Sequence, residues 1–186
     1  MGRWEPNSRG RLEKAALELY GERGFEQTTV AEIAKRAGLT ERTFFRHFAD
    51  KREVLFAGST LLQDLLVRTV TEVSDSTAPI DAVAAALEAG GAVLIHERAR
   101  QRHAVIVTNA ELRERELIKL ASLASALAEA LRRRGVTDLA AQLTAEAGIA
   151  AFKVAFEHWV GEPDDKDLPQ LIRKSFNELK AVTAGK

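Results

Sequence analysis

Apolar residues recur at three- and four-residue spacing along most of the chain, and glycine and proline fall between these stretches. This period is that of an amphipathic α-helix. The segment 104–108 is the one string typical of a strand, and an isolated strand has no partner. The pattern therefore predicts an all-α protein, with helices over 8–23, 29–38, 40–47, 50–73, 79–97, 98–107, 108–134, 138–160 and 168–182.

Capping signals fix several of these predicted helix starts. Thr29 and Glu32 have the spacing of a capping box, in which each side chain hydrogen bonds the other residue's backbone N–H. The string Thr108-Asn109-Ala110-Glu111 has the same form. Gly90-Gly91 inside the fifth helix marks a weak point or a place of close packing.

The second helix, the turn Gly38-Leu39-Thr40 and the short third helix make a helix-turn-helix over about 29–48. Its predicted core combines Ile33, Phe44 and Phe48 with Leu12 and Leu19 of the first helix. In such motifs the second helix enters the major groove of DNA with its N-terminal residues. These residues are Thr40, Glu41, Arg42 and Thr43, of which Arg42 can pair with guanine and Thr43 can contact a thymine methyl group or a phosphate.

Residues around this motif resemble those of the tetracycline-repressor (TetR) family of bacterial regulators. The resemblance covers about residues 9–56, and the rest of the chain shares only the family's helical plan. It implies a DNA-binding domain at 1–56 and an effector-binding, dimer-forming body at 57–186. The residues that carry the resemblance are Gly24-Phe25, Thr28-Thr29-Val30, Ile33-Ala34, Ala37-Gly38-Leu39, Thr43-Phe44-Phe45-Arg46-His47-Phe48 and Asp50-Lys51-Arg52-Glu53.

The resemblance also implies roles for single residues. Thr29 would cap the second helix beside a phosphate, and His47 and Lys51 would lie at positions that contact the DNA backbone. Phe45 stands where many members have a tyrosine whose hydroxyl touches phosphate, and Phe cannot donate. Arg46 stands where a second aromatic is common, and its charge can supply a phosphate contact.

Charge and composition narrow the possible functions. The 186 residues include 27 Lys+Arg, 27 Asp+Glu and no Cys. The absence of cysteine excludes a disulfide scaffold, a thiolate zinc site and a cysteine nucleophile. Zero net charge argues against coating nucleic acid by bulk electrostatics, although residues 1–56 carry a net charge of +2. The sequence has neither a signal-peptide pattern nor an uninterrupted apolar run that could cross a membrane, so we expect a cytoplasmic protein.

The eighth predicted helix is apolar on two opposed sides. One side carries Leu139, Leu143, Ala147, Ala150 and Val154, and the other carries Ile149, Phe152, Phe156 and Trp159. A helix with two apolar sides must be covered on both, either within its own chain or by a second subunit. We favour a homodimer whose interface includes Ala147, Ala150, Ala151, Val154, Ile172 and Phe176.

The body also predicts a binding site for a small organic effector. The effector-binding candidates, chosen by position only, are His96, His103, Asn109, Glu146 and His158. No His-Glu-x-x-His string, phosphate loop or nucleophile elbow is present, and arginines at 98, 100 and 102 disfavour a cation near His96 and His103. We therefore predict no metal, no cofactor and no catalytic residues.

These observations predict a sequence-specific transcriptional regulator, a ligand-responsive repressor that binds an inverted-repeat operator as a homodimer. Its partners would be double-stranded DNA, a second copy of the chain and the effector. Two alternatives stay open. One is a DNA binder without effector control, and the other is an all-helical enzyme whose helix-turn-helix is incidental.

Overall fold

The computed structural model describes residues 7–162 and 167–185. These residues form nine α-helices and a 3-10 helix at Glu53–Phe56, and they contain no strand. The predicted all-α class is confirmed. The helices are α1 (Ser8–Arg23), α2 (Val30–Arg36), α3 (Glu41–His47), α4 (Ser59–Glu72), α5 (Pro79–Ala92), α6 (His96–Val107), α7 (Ala110–Arg133), α8 (Asp138–Gly161) and α9 (Leu168–Thr183).

The chain divides into two compact units. The first comprises the described residues of Met1–Gly58 together with Gln101–Glu116, and the second comprises Ser59–Arg100 with the described residues of Leu117–Lys186. Helices α6 and α7 therefore each contribute residues to both units. The predicted functional boundaries, 1–56 and 57–186, stay a prediction, but residues 101–116 pack with the first unit.

The core of the first unit lies where α1, α2 and α3 meet. Leu12, Leu19, Ile33, Phe44 and Phe48 are all buried there, as predicted from the helix-turn-helix pattern. Residues that follow much later in the chain complete this core, namely Val105, Ile106 and Leu112.

The predicted continuous helix over 50–73 is wrong. The Asp50 carboxylate accepts hydrogen bonds from the backbone N–H of Arg52 (2.8 Å) and Glu53 (3.1 Å), but the turn that it starts is the short 3-10 helix. Gly58 then adopts a φ of 84°, which lies outside the helical region, and α4 begins only at Ser59. The fifth helix likewise ends at Ala92 rather than at residue 97.

Threonines next to two helix starts do not cap those helices. Asn109, not Thr108, caps α7, because its side-chain oxygen accepts from the N–H of Leu112 at 3.1 Å. The Thr108 hydroxyl instead donates to the Val105 carbonyl at 3.0 Å. Thr137 precedes α8 as predicted, but its side chain makes no capping hydrogen bond.

The core of the second unit is formed by residues of α4, α5, α7, α8 and α9. Its helices come closest at glycines. A Cβ atom on Gly90 would lie 2.8 Å from Leu66 Cδ2, and one on Gly91 would lie 2.8 Å from Ile172 Cδ1. Gly90-Gly91 is therefore a place of close packing, one of the two interpretations that the sequence left open.

Helix α8 is long and apolar enough to pass for a membrane span by length and composition. A core helix passes the same test, and one side of α8 is buried in the second unit through Ala141, Ala145, Gly148 and Ile149. Its length and composition therefore do not distinguish a membrane span from a core helix.

Candidate nucleic-acid interface

Helix α2 begins with the predicted capping box. The N–H of Glu32 donates to Thr29 Oγ1 at 3.2 Å, and the N–H of Thr29 donates to Glu32 Oε2 at 2.9 Å. Hydrogen bonds from the Thr29 backbone and hydroxyl lower the pKa of Glu32, so its carboxylate stays charged. Thr29 is exposed at this helix start, where a phosphate would meet outward N–H groups.

The turn between α2 and α3 depends on glycine. Gly38 has a φ of 66°, and the Arg11 guanidinium lies 2.7 Å from where a Cβ atom at this position would be. Arg11 donates to the carbonyl of Ala37, immediately before the glycine. The N–H of Leu39 closes the turn on the Ala34 carbonyl at 2.8 Å. Arg11 thus links α1 to the turn that orients α3.

Helix α3 exposes a surface of polar and aromatic residues. Thr40 caps it by accepting from the N–H of Thr43 at 3.2 Å, and the two hydroxyl oxygens are 3.1 Å apart. Arg42 and Arg46 are exposed, and within the described part of the chain neither side chain forms an ion pair or hydrogen bond. Glu41 is exposed as well, and Phe45 keeps 55% of its surface accessible.

His47, the last residue of α3, is hydrogen bonded within the first unit. Its Nε2 lies 2.7 Å from the hydroxyl oxygen of Ser8, the first residue of α1. Partial burial and the nearby charges of Arg46 and Arg9 lower the pKa of His47. Ser8 was absent from the sequence-predicted site, because its partner lies 39 residues away.

Lys51 has a different environment from the one predicted. Its ammonium donates to the backbone carbonyls of Phe25 (2.8 Å), Glu26 (3.2 Å) and Thr28 (3.0 Å). An ammonium has three donors, so all of them are used. Tyr20 donates its hydroxyl to the Lys51 carbonyl at 2.6 Å. This geometry favours a structural role for Lys51 over the predicted phosphate contact.

Two further arginines hold the 3-10 helix in place. Arg102 Nε donates to the carbonyl of Leu55 at 2.6 Å, and its Nη1 lies 2.9 Å from Glu116 Oε1. Arg115 Nε donates to Glu53 at 2.9 Å. No local signal predicts these contacts, since the partners of each arginine lie between 14 and 62 residues away.

The first unit also contains an open groove of about 540 Å³, lined by residues of α1 and α6. Its floor includes Tyr20 and Val105, and its rim carries Glu18 and Glu22. Arg36 pairs with both carboxylates, at 3.6 and 2.8 Å, and Lys14 Nζ lies 3.9 Å from Glu18, so each of these glutamates has a cationic partner.

The predicted effector residues are divided between the two units. His103 and Asn109 belong to the first unit, and His96, Glu146 and His158 belong to the second. The Asn109 amide donates to Glu26 Oε1 at 2.6 Å in addition to capping α7. Glu146 and His158 are exposed on α8. Their selection by chain position could not reveal where α6 and α7 pass from one unit to the other.

His96 alone of that set joins an aromatic cluster in the second unit. Its Nε2 lies 2.9 Å from the Trp159 carbonyl oxygen, and the two rings meet edge to face with centroids 4.8 Å apart. Phe156 continues the cluster, 5.9 Å from Trp159 and 5.8 Å from Phe152. Both phenylalanines are only partly buried, so the cluster retains accessible apolar surface.

The predicted dimer residues fall into two groups. Ala151, Ile172 and Phe176 are buried in the core of the second unit, with 7%, 0% and 2% of their surface accessible. They are not available to a partner, so their assignment to an interface is corrected. Ala147, Ala150 and Val154 retain accessible surface on α8, in line with exposed Leu139 and Leu143.

Within the described ranges, no three metal-ligating side chains come together.

Two family models match separate parts of the chain. Residues 12–57 match the model of bacterial regulatory proteins of the tetR family, and residues 77–184 match the MftR C-terminal domain. The second match spans more than half of the chain. MftR of Mycobacterium tuberculosis, provisionally named as a regulator of mycofactocin biosynthesis, is 27% identical over 97% of this chain and 93% of its own.

Solved structures have the same fold. The SmeT–triclosan complex superposes with a TM-score of 0.68 at 23% identity, covering 94% of this chain and 90% of that one. SmeT is the repressor of the Stenotrophomonas maltophilia multidrug efflux pump SmeDEF. The Thermus thermophilus repressor FadR, in complex with lauroyl-CoA, gives a TM-score of 0.54 at 23% identity, covering 92% and 93%.

Proposed function

This chain belongs to the TetR family of bacterial regulatory proteins and is a DNA-binding transcriptional regulator. On this basis we propose that it is a homodimeric repressor that binds an inverted-repeat operator. An organic effector lowers its affinity for that operator. The observation that carries the proposal is the outward surface of α3. Arg42 and Arg46 there are cations without a partner among the described residues.

The exposed residues of α3 divide into base-reading and backbone-contacting groups. Arg42, at the start of the helix, can donate two hydrogen bonds to guanine O6 and N7. Phe45 offers an apolar ring to a thymine methyl group, since it lacks the hydroxyl that would donate to phosphate. Thr29, Arg46 and His47 are suited to phosphates, which position the protein without reading sequence.

Selection of bound sequences from random duplex DNA tests this proposal. An inverted repeat should emerge, because a two-fold symmetric dimer presents two reading helices. Arg42→Ala should weaken operator binding by about 1–3 kcal/mol and relax the preference at one base pair of each half-site. Arg133→Ala, which removes an exposed arginine from α7, is the matched control and should bind normally. If no sequence were enriched, the DNA-reading role of α3 would be rejected.

The dimer is proposed to form through the exposed stripe of α8. Leu139 and Leu143 are 68% and 62% accessible, and Val154 is 51% accessible. A continuous apolar stripe of this kind on a water-facing helix marks an interaction surface. The two-fold symmetry expected of most homodimers lets the same stripe serve both subunits.

Sedimentation of Val154→Glu at micromolar concentration tests this surface. The wild-type chain should sediment at twice 20.4 kDa, and the variant should shift to the monomer because an unpaired buried charge is strongly unfavourable. Glu157→Gln changes an exposed charge on the same helix and should remain a dimer. A dimeric Val154→Glu protein would place the interface elsewhere.

The effector is proposed to be a largely apolar organic molecule that contacts the cluster of His96, Phe152, Phe156 and Trp159. Ligand sites are mostly apolar with a few polar groups, and this cluster combines three aromatic rings with one imidazole. The triclosan and lauroyl-CoA complexes of related folds support this class of ligand.

Titration calorimetry with and without operator DNA tests the coupling, using triclosan and lauroyl-CoA as probes. An inducer must lose affinity in the presence of operator by the same factor by which it weakens DNA binding. Phe156→Ala should reduce affinity for the inducing probe. Equal probe affinity in both titrations would show that the compound is not an inducer.

A further inference from the structure

The contact between Ser8 and His47 joins the first residue of α1 to the last residue of α3. The hydroxyl oxygen and the imidazole Nε2 are 2.7 Å apart, and both side chains are half-buried. A hydroxyl can donate or accept by rotating. The contact therefore persists whether the imidazole is neutral or protonated, and it fixes the ring in one orientation.

The groups around His47 are cationic. Arg46 precedes it on α3, and Arg9 of α1 is also near enough for its charge to act on the imidazole. Arg9 is also paired with Glu13 at 3.2 Å and lies over the Phe48 ring at 5.5 Å. Burial, Arg46 and Arg9 together hold the pKa of His47 below its usual range. Within residues 7–162 and 167–185, Nδ1 of His47 has no hydrogen-bond partner.

We propose that Ser8 is a positioning residue that aims Nδ1 of His47 at a DNA phosphate, and that operator binding is coupled to uptake of one proton by each His47. The inference rests on the proposed function, which makes α3 the DNA-reading helix. In the bound state, Nε2–H donates to the Ser8 hydroxyl and Nδ1–H donates to a phosphate oxygen. The proton comes from the buffer.

The direction of the pH effect follows from linkage. In free protein the neighbouring cations oppose protonation of His47. A bound phosphate supplies negative charge beside them, so the pKa of His47 rises when DNA binds. The gain in operator affinity is fully present below the pKa of His47 in the free protein. It is lost as pH rises through the higher pKa of His47 in the DNA complex. Between these two pKa values, affinity should change by up to about tenfold per pH unit for each protomer.

The experiment measures operator affinity at constant ionic strength from pH 5.5 to 8 for the full-length chain. Affinity of the wild-type protein should increase as pH falls. His47→Asn keeps hydrogen bonding but cannot be protonated in this range, and it should flatten the profile. Ser8→Ala should bind more weakly and lose most of the pH dependence, whereas Ser8→Thr restores the hydroxyl and should recover both. Ser125→Ala, which removes an exposed hydroxyl from α7, should match wild type.

Calorimetry in two buffers with different ionisation enthalpies counts the protons directly. The wild-type protein should take up close to one proton per protomer in the middle of the pH window, and His47→Asn should take up less. If Ser8→Ala lowered operator affinity by the same factor at every pH, the role of Ser8 would be merely structural. A pH-independent wild-type protein, or an undiminished profile in His47→Asn, would also overturn the inference. Failure of wild-type protein to bind any selected duplex would instead reject the proposed function.

Discussion

Each of the two units contains long polar bridges, but the contacts between its helices differ from those in the other unit. In the first unit, long polar side chains bridge segments that are distant in sequence, as when Lys51 donates to three carbonyls and Arg102 joins Leu55 to Glu116. The second unit has such a bridge as well, from Arg134 to the carbonyls of Val70, Val73, Ser74 and Thr77. In addition, its helices approach one another at glycines inside an apolar core, as at Gly91 and Gly148.

Helix length explains this difference. Helix α3 has 7 residues, too few to be stable alone, and under the proposed function its outer surface must stay accessible to DNA. Only its inner side and its neighbours can hold it, so its packing depends on a small core. Helices α7 and α8 have 24 residues each and can bury a long apolar stripe. The first unit thus fixes exposed polar groups in place, whereas the second keeps apolar side chains of α8 exposed, such as Leu139 and Leu143.

The largest expected effect on stability comes from removing a buried side chain from the inner side of α3, and the same change on the outer surface serves as the comparison. Phe44 is fully buried, and Phe44→Ala should lower the free energy of unfolding by about 3–5 kcal/mol. The adjacent Phe45→Ala should change stability by less than about 0.5 kcal/mol and instead weaken operator binding. Urea unfolding measures the first effect, and hydrogen exchange locates it. If protection fell equally in peptides of both units, their stabilities would not be separable.

The next effect tests whether Lys51 stabilises the first unit or contacts phosphate. Lys51→Met keeps the aliphatic stem but leaves three carbonyls without their charged donor, so it should cost roughly 1.5–3 kcal/mol of stability. Lys35→Met removes an exposed lysine of α2 and should cost little. The salt dependence of operator binding decides between the roles. If folded Lys51→Met bound the operator with a salt-dependence slope lower by about one per half-site, Lys51 would contact phosphate after all.

Local signals in the sequence are sufficient to predict the helix-turn-helix. The capping box at Thr29 and Glu32 and the bounds of α1 depend on residues within four positions of each other. Each signal corresponds to a hydrogen bond or a backbone conformation that the sequence specifies directly. The all-α class follows from the same short-range periodicity.

Contacts between distant residues could not be predicted in this way. Helical periodicity identified two apolar sides on α8, but it does not specify which side the same chain covers. The same limit applies to Ile172 and Phe176 of α9, whose apolar pattern fits an interface as well as a core, and they fill the core of the second unit. The roles of Lys51 and Ser8 depend on partners 23–39 residues away. The break at Gly58 was missed because the apolar pattern continues across it.

The smallest effect tests close packing in the second unit. A Cβ atom on Gly148 would overlap Val83 Cγ1, a core atom that cannot move aside without disturbing its neighbours. Gly148→Ala should therefore destabilise the protein by about 1–3 kcal/mol despite alanine's better helix propensity. Gly161→Ala, in the same helix, meets no atom within 4 Å and should be neutral or stabilising by up to about 1 kcal/mol. Thermal unfolding of both variants gives the difference. If Gly148→Ala were as stable as Gly161→Ala, the second unit would have room to relax, and tight glycine contacts would no longer distinguish it from the first.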